Sequence, residues 1–248
     1  MGMTFKETPE LFGSFHLICL LLITAVSILF YFRFRNSEED GLLNILHIFG
    51  LVMIVTEVWK QIFTYIYVFD RVCNMWFFPW QLCSMAMYCA FAVKYLKEEM
   101  QNVILVFLST FSLLAAVVAL LGPLDMLRPQ ILLTCHGFLY HGLMILEAVA
   151  SFIILKRRSG FCFRPTLILF LLMAVVAELI NITAHGIFHD IHREPDMFYI
   201  TPYYATTQPV FSVVSKTCGI FAGVVFYLAA IIFFSWLLYK AMYGRKAR

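Results

Sequence analysis

Long apolar segments recur along almost the whole chain and are separated by short polar breaks. A helix of about 20 apolar residues crosses roughly 30 Å of hydrocarbon. Because hydrocarbon offers the backbone no hydrogen-bond partner, such segments must bond within themselves, and the alternating pattern of barrel strands is not seen. The pattern predicts an all-α polytopic membrane protein with a single transmembrane domain of about seven helices. They are expected near residues 14–33, 42–62, 77–95, 102–122, 130–155, 166–189 and 217–240.

The composition agrees with a lipid environment. Hydrophobic residues make up 62% of the 248 positions and charged residues 13%, whereas an ordinary soluble domain has about 25% charged residues. So few ionisable side chains exclude a soluble globular domain of this size. The net charge of +3 is spread over short loops, so nucleic acid is not an expected partner.

Lys and Arg are distributed unequally between the two sets of loops. Twelve of the 18 follow the odd-numbered predicted helices, and six lie on the other side. Cytoplasmic loops carry the excess of basic residues in membrane proteins. We therefore predict a multi-pass protein of the cell membrane, with the N-terminus outside and the C-terminus in the cytoplasm.

Polar side chains within the predicted helices are not scattered. Such side chains are costly in hydrocarbon and are candidates for function. With this orientation they fall in the same outer half of the second, third, fifth and sixth helices, so we expect one polar cavity that opens outward. Its candidate members are Glu57, Lys60, Gln61, Gln81, Cys83, Ser84, His136, Tyr140, His141, Glu178, Asn181, His185 and His189. The pair Glu57 and Lys60 either neutralises itself on one helix face or also lines the cavity.

The third and fifth predicted helices carry candidates for nucleophilic acyl transfer, which needs a thiol or hydroxyl beside a base. Cys83 or Ser84 is the candidate nucleophile. His141 is the candidate base, and His136 is the alternative. At 1.5 Å per residue, Cys83 and His136 lie roughly 9 Å below the outer ends of their helices, and His141 roughly 16 Å. On an ideal helix Cys83 and Gln81 point about 160° apart, so only one of them is expected to line the cavity.

The sixth predicted helix carries a polar stripe over three turns. Its members are Glu178, Asn181, His185 and His189. Three interpretations are open: a hydrogen-bonded seam between helices, a catalytic or substrate-lining wall, and a metal site. The spacing from His185 through His189 and Asp190 to His192 is one that metal-binding imidazoles use. We expect no metal and no cofactor, with a single zinc ion as the alternative.

Three short motifs together resemble the YwaF-like family of small bacterial integral membrane proteins. They are Phe78-Pro79-Trp80-Gln81-Leu82-Cys83, Tyr140-His141-Gly142-Leu143 and Tyr203-Tyr204 followed by Gln208-Pro209. The resemblance extends from about Glu57 to the last helix and puts the family's cysteine on Cys83 and its buried histidine on His141. Trp80 replaces the usual Leu of the first motif. The family is also similar to a eukaryotic multi-pass acyltransferase of ether phospholipids with a proposed Cys and His pair, which implies acyl chemistry.

The leading hypothesis is an integral membrane enzyme of lipid acyl chemistry, by acyl transfer or ester hydrolysis, acting on a membrane lipid or fatty-acyl ester. Gln81 is expected to donate to the oxyanion, and Glu178 or Asn181 to orient the imidazole. The expected substrate-binding residues are Gln81, Glu57, Glu178, Asn181, His185 and Tyr204. Two alternatives are a carrier or receptor-like protein that binds a small polar solute in the same cavity, and a seven-helix zinc-dependent lipid hydrolase.

Overall fold

The computed structural model describes residues 4–123, 125–188 and 195–244. These residues form helices and no strand, which confirms the all-α class for the described part of the chain. The helices are α1 (Ser14–Phe34), α2 (Glu39–Tyr67), α3 (Ser84–Val93), α4 (Glu98–Leu121), α5 (Ile131–Leu155), α6 (Phe163–Phe188), α7 (Pro209–Cys218) and α8 (Ile220–Tyr243).

Six of these helices are long and apolar enough to cross a membrane: α1, α2, α4, α5, α6 and α8. The shortest has 21 residues and so reaches about 31 Å. The most apolar stretches of α4 and α5 are 61% buried by the rest of the protein, whereas those of α1 and α8 are 11% buried. The protein is therefore a multi-pass membrane protein in which α4 and α5 are central, while α1 and α8 expose apolar side chains that suit a lipid surrounding.

The length predicted for the third helix, residues 77–95, is wrong. Only Ser84–Val93 is α-helical, and Met75–Phe77 forms a separate 3-10 turn. Pro79 keeps Phe78 out of the helix, because a residue before proline is forced away from helical angles; Phe78 accordingly has φ −57° and ψ 132°. Ten residues of helix rise only about 15 Å, so a count of seven long helices is not confirmed.

The segment 77–95 nevertheless runs back along α2. Gln61, late in α2, donates a hydrogen bond to the carbonyl of Phe77. His47, early in α2, donates from Nδ1 to the carbonyl of Phe91 at 2.8 Å. These contacts make the segment antiparallel to α2 and set Cys83 opposite the polar turn of α2.

α5 lies at the centre of the packing and contacts α1, α2 and α4. The short helix α7 turns at Gly219 and packs on α8. Gly219 has φ 94°, a left-handed angle that glycine adopts without steric cost. This turn is the reason that the last long helix begins at Ile220 rather than at residue 217.

α2 and α3 approach each other most closely at Gly50. A Cβ atom on Gly50 would lie 2.3 Å from the backbone nitrogen of Phe91 and 2.8 Å from its Cα. Those atoms belong to the backbone of α3, so they cannot rotate away. The missing side chain of Gly50 therefore sets the spacing between the two helices that carry Glu57 and Cys83.

We expect Gly50→Ala to destabilise the protein by about 1–3 kcal/mol or more, because overpacking a tight contact forces the backbones apart. Gly41→Ala is the matched control on α2, since nothing lies within 4 Å of a Cβ atom there. Thermal unfolding in detergent measures both variants. Equal unfolding temperatures for the two variants would contradict the close contact.

Candidate functional site

Cys83 directly precedes the first residue of α3 and takes its N-cap position. The late start of the helix therefore puts the thiol at the positive end of the helix dipole, where negative charge is stabilised. The backbone N–H groups of Cys83 and Ser84 lie beside its sulfur. This location differs from the sequence-based expectation, which set Cys83 inside a helix starting near residue 77.

A polar cavity of about 130 Å³ lies beside Cys83, bounded by α2, α3, α5 and the loop from α4 to α5. Its polar or ionisable lining residues are Glu57, Lys60, Cys83, Ser84, Asp125, Arg128, His136, Tyr140 and His141. Residues from three separate helices therefore meet at one place. The group combines candidate nucleophiles, two imidazoles and an ion pair.

Glu57 and Lys60 form the ion pair on the α2 side of this cavity. The Lys60 Nζ atom is 2.7 Å from Oε1 of Glu57, and Gln61 donates to the same carboxylate oxygen at 2.7 Å. The Glu57 carboxylate is thus neutralised by an ammonium group and held by an amide. The pair neutralises itself and also lines the cavity, so the two interpretations of its role are compatible.

The imidazole of His141 is oriented by its own helix. Its Nδ1 atom is 2.8 Å from the carbonyl oxygen of Gly137. Because a carbonyl only accepts hydrogen bonds, Nδ1 carries the proton, and a neutral ring presents Nε2 as the basic nitrogen. Gly137 thus does the orienting that the sequence suggested for Glu178 or Asn181.

His136 lies one turn nearer the start of α5, against the rings of Trp59 and Tyr140 at centroid distances of 5.9 and 5.6 Å. Its Nε2 atom has no hydrogen-bond partner among the described residues. His136 and His141 therefore both offer an imidazole to the cavity. The backbone carbonyl of Gly137 holds Nδ1 of His141, and the backbone of Thr56 on α2 interacts with the ring of His136.

A second, larger cavity of about 400 Å³ lies on the other side of Cys83 and His141. Its walls are mostly apolar and come from α4, α7 and α8, with a polar end near the loops. The apolar lining is Leu82, Leu114, Ala115, Val118, Ala119, Met126, Phe211, Ala230, Ile231 and Phe234; the polar end is Asp125, Tyr199, Gln208 and Tyr227. Cys83 and His141 line both cavities, so they stand where a polar space meets an apolar one.

Gln81 and Asn181 lie away from the polar cavity and hold the segment 196–198. Gln81 donates to the carbonyl of Asp196 at 3.0 Å and accepts from the N–H of Phe198 at 2.9 Å. Asn181 accepts from the N–H of Met197 at 2.7 Å and donates to its carbonyl at 3.2 Å. We call these two side chains the amide clamp. The clamp uses one N–H and the oxygen of the Gln81 amide, and Gln81 lines neither of the two cavities; its role as oxyanion donor stays a prediction.

Glu178 and His185, the other described members of the stripe, do not line the polar cavity; His189 lies outside the described residues. Glu178 accepts from Asn181 at 3.4 Å, and the ring of His185 stacks on Tyr203 with centroids 3.5 Å apart. Tyr204 donates to the carbonyl of Pro195 at 2.9 Å. The described part of the stripe contacts a loop rather than another helix, so the three interpretations of the stripe stay predictions.

Asp196 lies at the centre of the clamped loop and is fully buried. Its Oδ1 accepts from the N–H of Thr201 at 3.0 Å, while Oδ2 has no partner among the described residues. Burial raises the pKa of this carboxyl to about 7; the bond from Thr201 opposes the rise and nearby Glu178 adds to it. The clamped loop therefore contains a group that titrates near neutral pH.

Sequence reasoning missed several residues of the two cavities. Asp125 and Arg128 lie in a short loop, where charged residues are ordinary and give no signal. Tyr199 and Tyr227 were overlooked because single tyrosines among many aromatic residues carry no pattern. The carbonyl of Gly137 could have been suspected, since it lies four residues before His141 on the same helix.

No group of three or more His, Cys, Asp or Glu side chains that could hold a metal ion is found in the described ranges. His189, Asp190 and His192 of the suggested metal motif lie outside them. The zinc hydrolase thus stays a prediction from spacing alone.

No protein-family model, curated protein or solved structure matches this chain. The resemblance to the YwaF-like family therefore stays a prediction that rests on the three motifs.

We expect Asp196→Asn to stabilise the protein at neutral and alkaline pH. The folded-state pKa of about 7 is above the ordinary value of 3.8, so wild-type stability falls as the pH rises from about 4 to about 7 and is constant above it. The rise of about 3 pH units corresponds to at most about 4 kcal/mol. Unfolding temperatures in detergent across this pH window should fall for wild type and change less for the variant.

Asp70→Asn is the control, because Asp70 is exposed in a loop with φ 47°, an angle that asparagine tolerates. It should keep the wild-type pH profile. A parallel fall in Asp196→Asn and wild type would show that Asp196 is not the titrating group.

Proposed function

We propose that this protein is an integral membrane enzyme of lipid acyl chemistry, with Cys83 as nucleophile and His141 as general base. The observation that carries the proposal is that both residues line a polar cavity and an apolar cavity at once. An acyl ester has the same division, with a polar end, an apolar chain and the reactive carbonyl between them. Acyl transfer at that junction needs a nucleophile and a base, and both are there.

The reaction proceeds in two balanced steps. The Cys83 thiol gives its proton to Nε2 of His141 as sulfur attacks the ester carbonyl, and the alkoxide that leaves takes that proton. The acyl group is then a thioester on Cys83. Water or an acceptor alcohol gives a proton to His141 as its oxygen attacks the thioester carbonyl. The C–S bond breaks, and the Cys83 thiolate takes that proton back from His141, which restores the thiol. Water gives hydrolysis, and an alcohol gives acyl transfer.

The local charges support this role for Cys83. Lys60 is close enough to act on the thiol electrostatically, and the N-terminal end of α3 favours negative charge on sulfur or on the carbonyl oxygen. Burial and the charge of Glu57 act in the opposite direction. The nearby base is therefore required. Ser84, the next residue, is a weaker candidate nucleophile because it lines the polar cavity but not the apolar one.

The apolar cavity supports an acyl chain as the group that is recognised. Its volume of about 400 Å³ lies within the range of about 300–1,000 Å³ that small-molecule sites occupy. Its walls between α4 and α8 are apolar, and its polar end meets the loop that the amide clamp holds. We propose a membrane lipid or fatty-acyl ester as substrate.

We also propose an orientation of the chain in the membrane and a seventh crossing. The basic residues favour an N-terminus outside the cell membrane and a C-terminus in the cytoplasm. The return of the segment 77–95 along α2 supports a seventh crossing that is only partly helical.

A carrier of small polar solutes is the second candidate. It is favoured by the polar cavity of about 130 Å³, which is small for a lipid head group and contains an ion pair and two imidazoles. Proton-linked flux into reconstituted vesicles would support the carrier, and its absence would remove this candidate.

We expect Cys83→Ala to abolish acyl transfer or hydrolysis by purified protein on a panel of fatty-acyl esters and phospholipids. His141→Ala should lower the rate by about 10²–10⁴-fold, the usual contribution of a general base. Cys135→Ala is the matched control, since Cys135 is exposed on α5 beside His136 and should keep wild-type activity. Correctly folded Cys83→Ala and His141→Ala variants with wild-type rates would refute the proposal.

We expect Ala230→Phe to shorten the acyl chain that the enzyme accepts, because the larger ring fills part of the apolar cavity. Turnover of long-chain esters should fall more than turnover of short-chain esters, by about tenfold for each 1.4 kcal/mol of lost binding. Ala229→Phe is the control, because Ala229 is exposed on the same helix. An equal chain-length preference in both variants would argue against an acyl chain in this cavity.

A further inference from the structure

Glu147 is a carboxyl group that neither cavity uses. It lies in the interior of α5 with no exposed surface. Neither carboxyl oxygen has a hydrogen-bond partner, and no Lys, Arg or His forms an ion pair with it among the described residues. A buried acidic side chain without any partner needs a specific explanation.

Glu147 belongs to a row of unsatisfied polar atoms along one face of α5. The atoms without partners are Nε2 of His136, the hydroxyl of Tyr140, both carboxyl oxygens of Glu147 and the hydroxyl of Ser151. At 100° per residue these four side chains lie within about 60° of one another, and they extend over about 22 Å of helix. His136 and Tyr140 line the polar cavity. The row therefore leads from that cavity into the bundle.

In the part of the chain that the structure describes, no positively charged side chain pairs with Glu147. Its electrostatic interactions are with Cys89 of α3 and Tyr140 of its own helix. α1, α2 and α4 also pack on α5, and among the described residues they bring no charged group into range of Glu147. Without an ion-pair partner, the Glu147 carboxylate avoids the cost of a buried charge by binding a proton.

α4 adds a second irregular feature that packs on α5. Its residues Leu108–Ser112 form a buried π-helical turn, and the Ser112 hydroxyl also lacks a partner within the described residues. π-turns inside α-helices are frequent at functional sites. The hydroxyl groups of Ser112 and Ser151 are able to donate and to accept, as a site that gains and loses a proton requires.

An ionised carboxylate without a partner is too costly in a protein interior, so such a group gives up its charge instead. We propose that Glu147 is a proton-binding site in the centre of the bundle, which exchanges its proton with the polar cavity along the face of α5 through Tyr140. The ligand is the proton itself. The inference does not depend on acyl chemistry at Cys83.

The test is infrared spectroscopy of the purified protein in detergent, in the region where a protonated carboxylic acid absorbs. In the Asp196→Asn background, which removes the other carboxyl that keeps a proton near neutral pH, we expect a carboxylic-acid band near neutral pH, a shift of that band in D₂O, and its loss in Glu147→Gln. Gln has nearly the same shape as a neutral Glu, so the variant should fold. If it does not, the D₂O shift and the persistence of the band near neutral pH in the Asp196→Asn protein still test the proposal.

Two further variants separate the site from its path. Tyr140→Phe should keep the band but slow its D₂O shift, because the hydroxyl between the cavity and Glu147 is gone. Glu178→Gln is the control and should keep both band and rate. A missing band, a band that survives Glu147→Gln, an unchanged exchange rate in Tyr140→Phe, or loss of the band on adding sodium ions would each overturn the proposal.

Discussion

Hydrocarbon cannot solvate a polar side chain, and this constraint explains where each polar group of the bundle lies. Some groups pair within their own helix, as Glu57 does with Lys60. Others satisfy a loop backbone, as Gln81 and Asn181 do. A third set lines a cavity. Within the described residues, Glu147 has no hydrogen-bond partner and lines neither of the two cavities. The first two groups stabilise the fold. The cavity-lining side chains and Glu147 are the ones available for chemistry.

Much of the architecture follows from the sequence because hydrophobic length is a local property. The apolar segments around α1, α5 and α6 are predicted to within a few residues. The start of α3 was missed although its cause is also local: Pro79 forces Phe78 out of the helix, while the run of apolar residues around it continues. A prediction based on the length of apolar runs does not detect a helix break that a single proline causes.

The candidate site, like the fold, could be predicted only in part from the sequence. Glu57, Cys83, Ser84, His136 and His141 meet in the polar cavity, and the depth of each residue in its helix pointed to such a meeting. The roles of Gln81 and Asn181 were not accessible, because Gln81 bonds a backbone 115 residues away and nothing in helical periodicity specifies such a partner. Likewise, the orienting acceptor for His141 is a carbonyl, a group that every residue possesses and no sequence pattern marks.

The amide clamp has a mechanical consequence for the thiol. Gln81 is only two residues before Cys83, and its amide is bonded to the segment 196–198. The next residue, Tyr199, lines the apolar cavity. A molecule that displaces this loop pulls on the same short stretch of chain that aims the sulfur. Such coupling is reciprocal. A molecule bound at the loop end of the apolar cavity changes the position of the Cys83 sulfur, and a change at the sulfur alters binding at that end of the cavity.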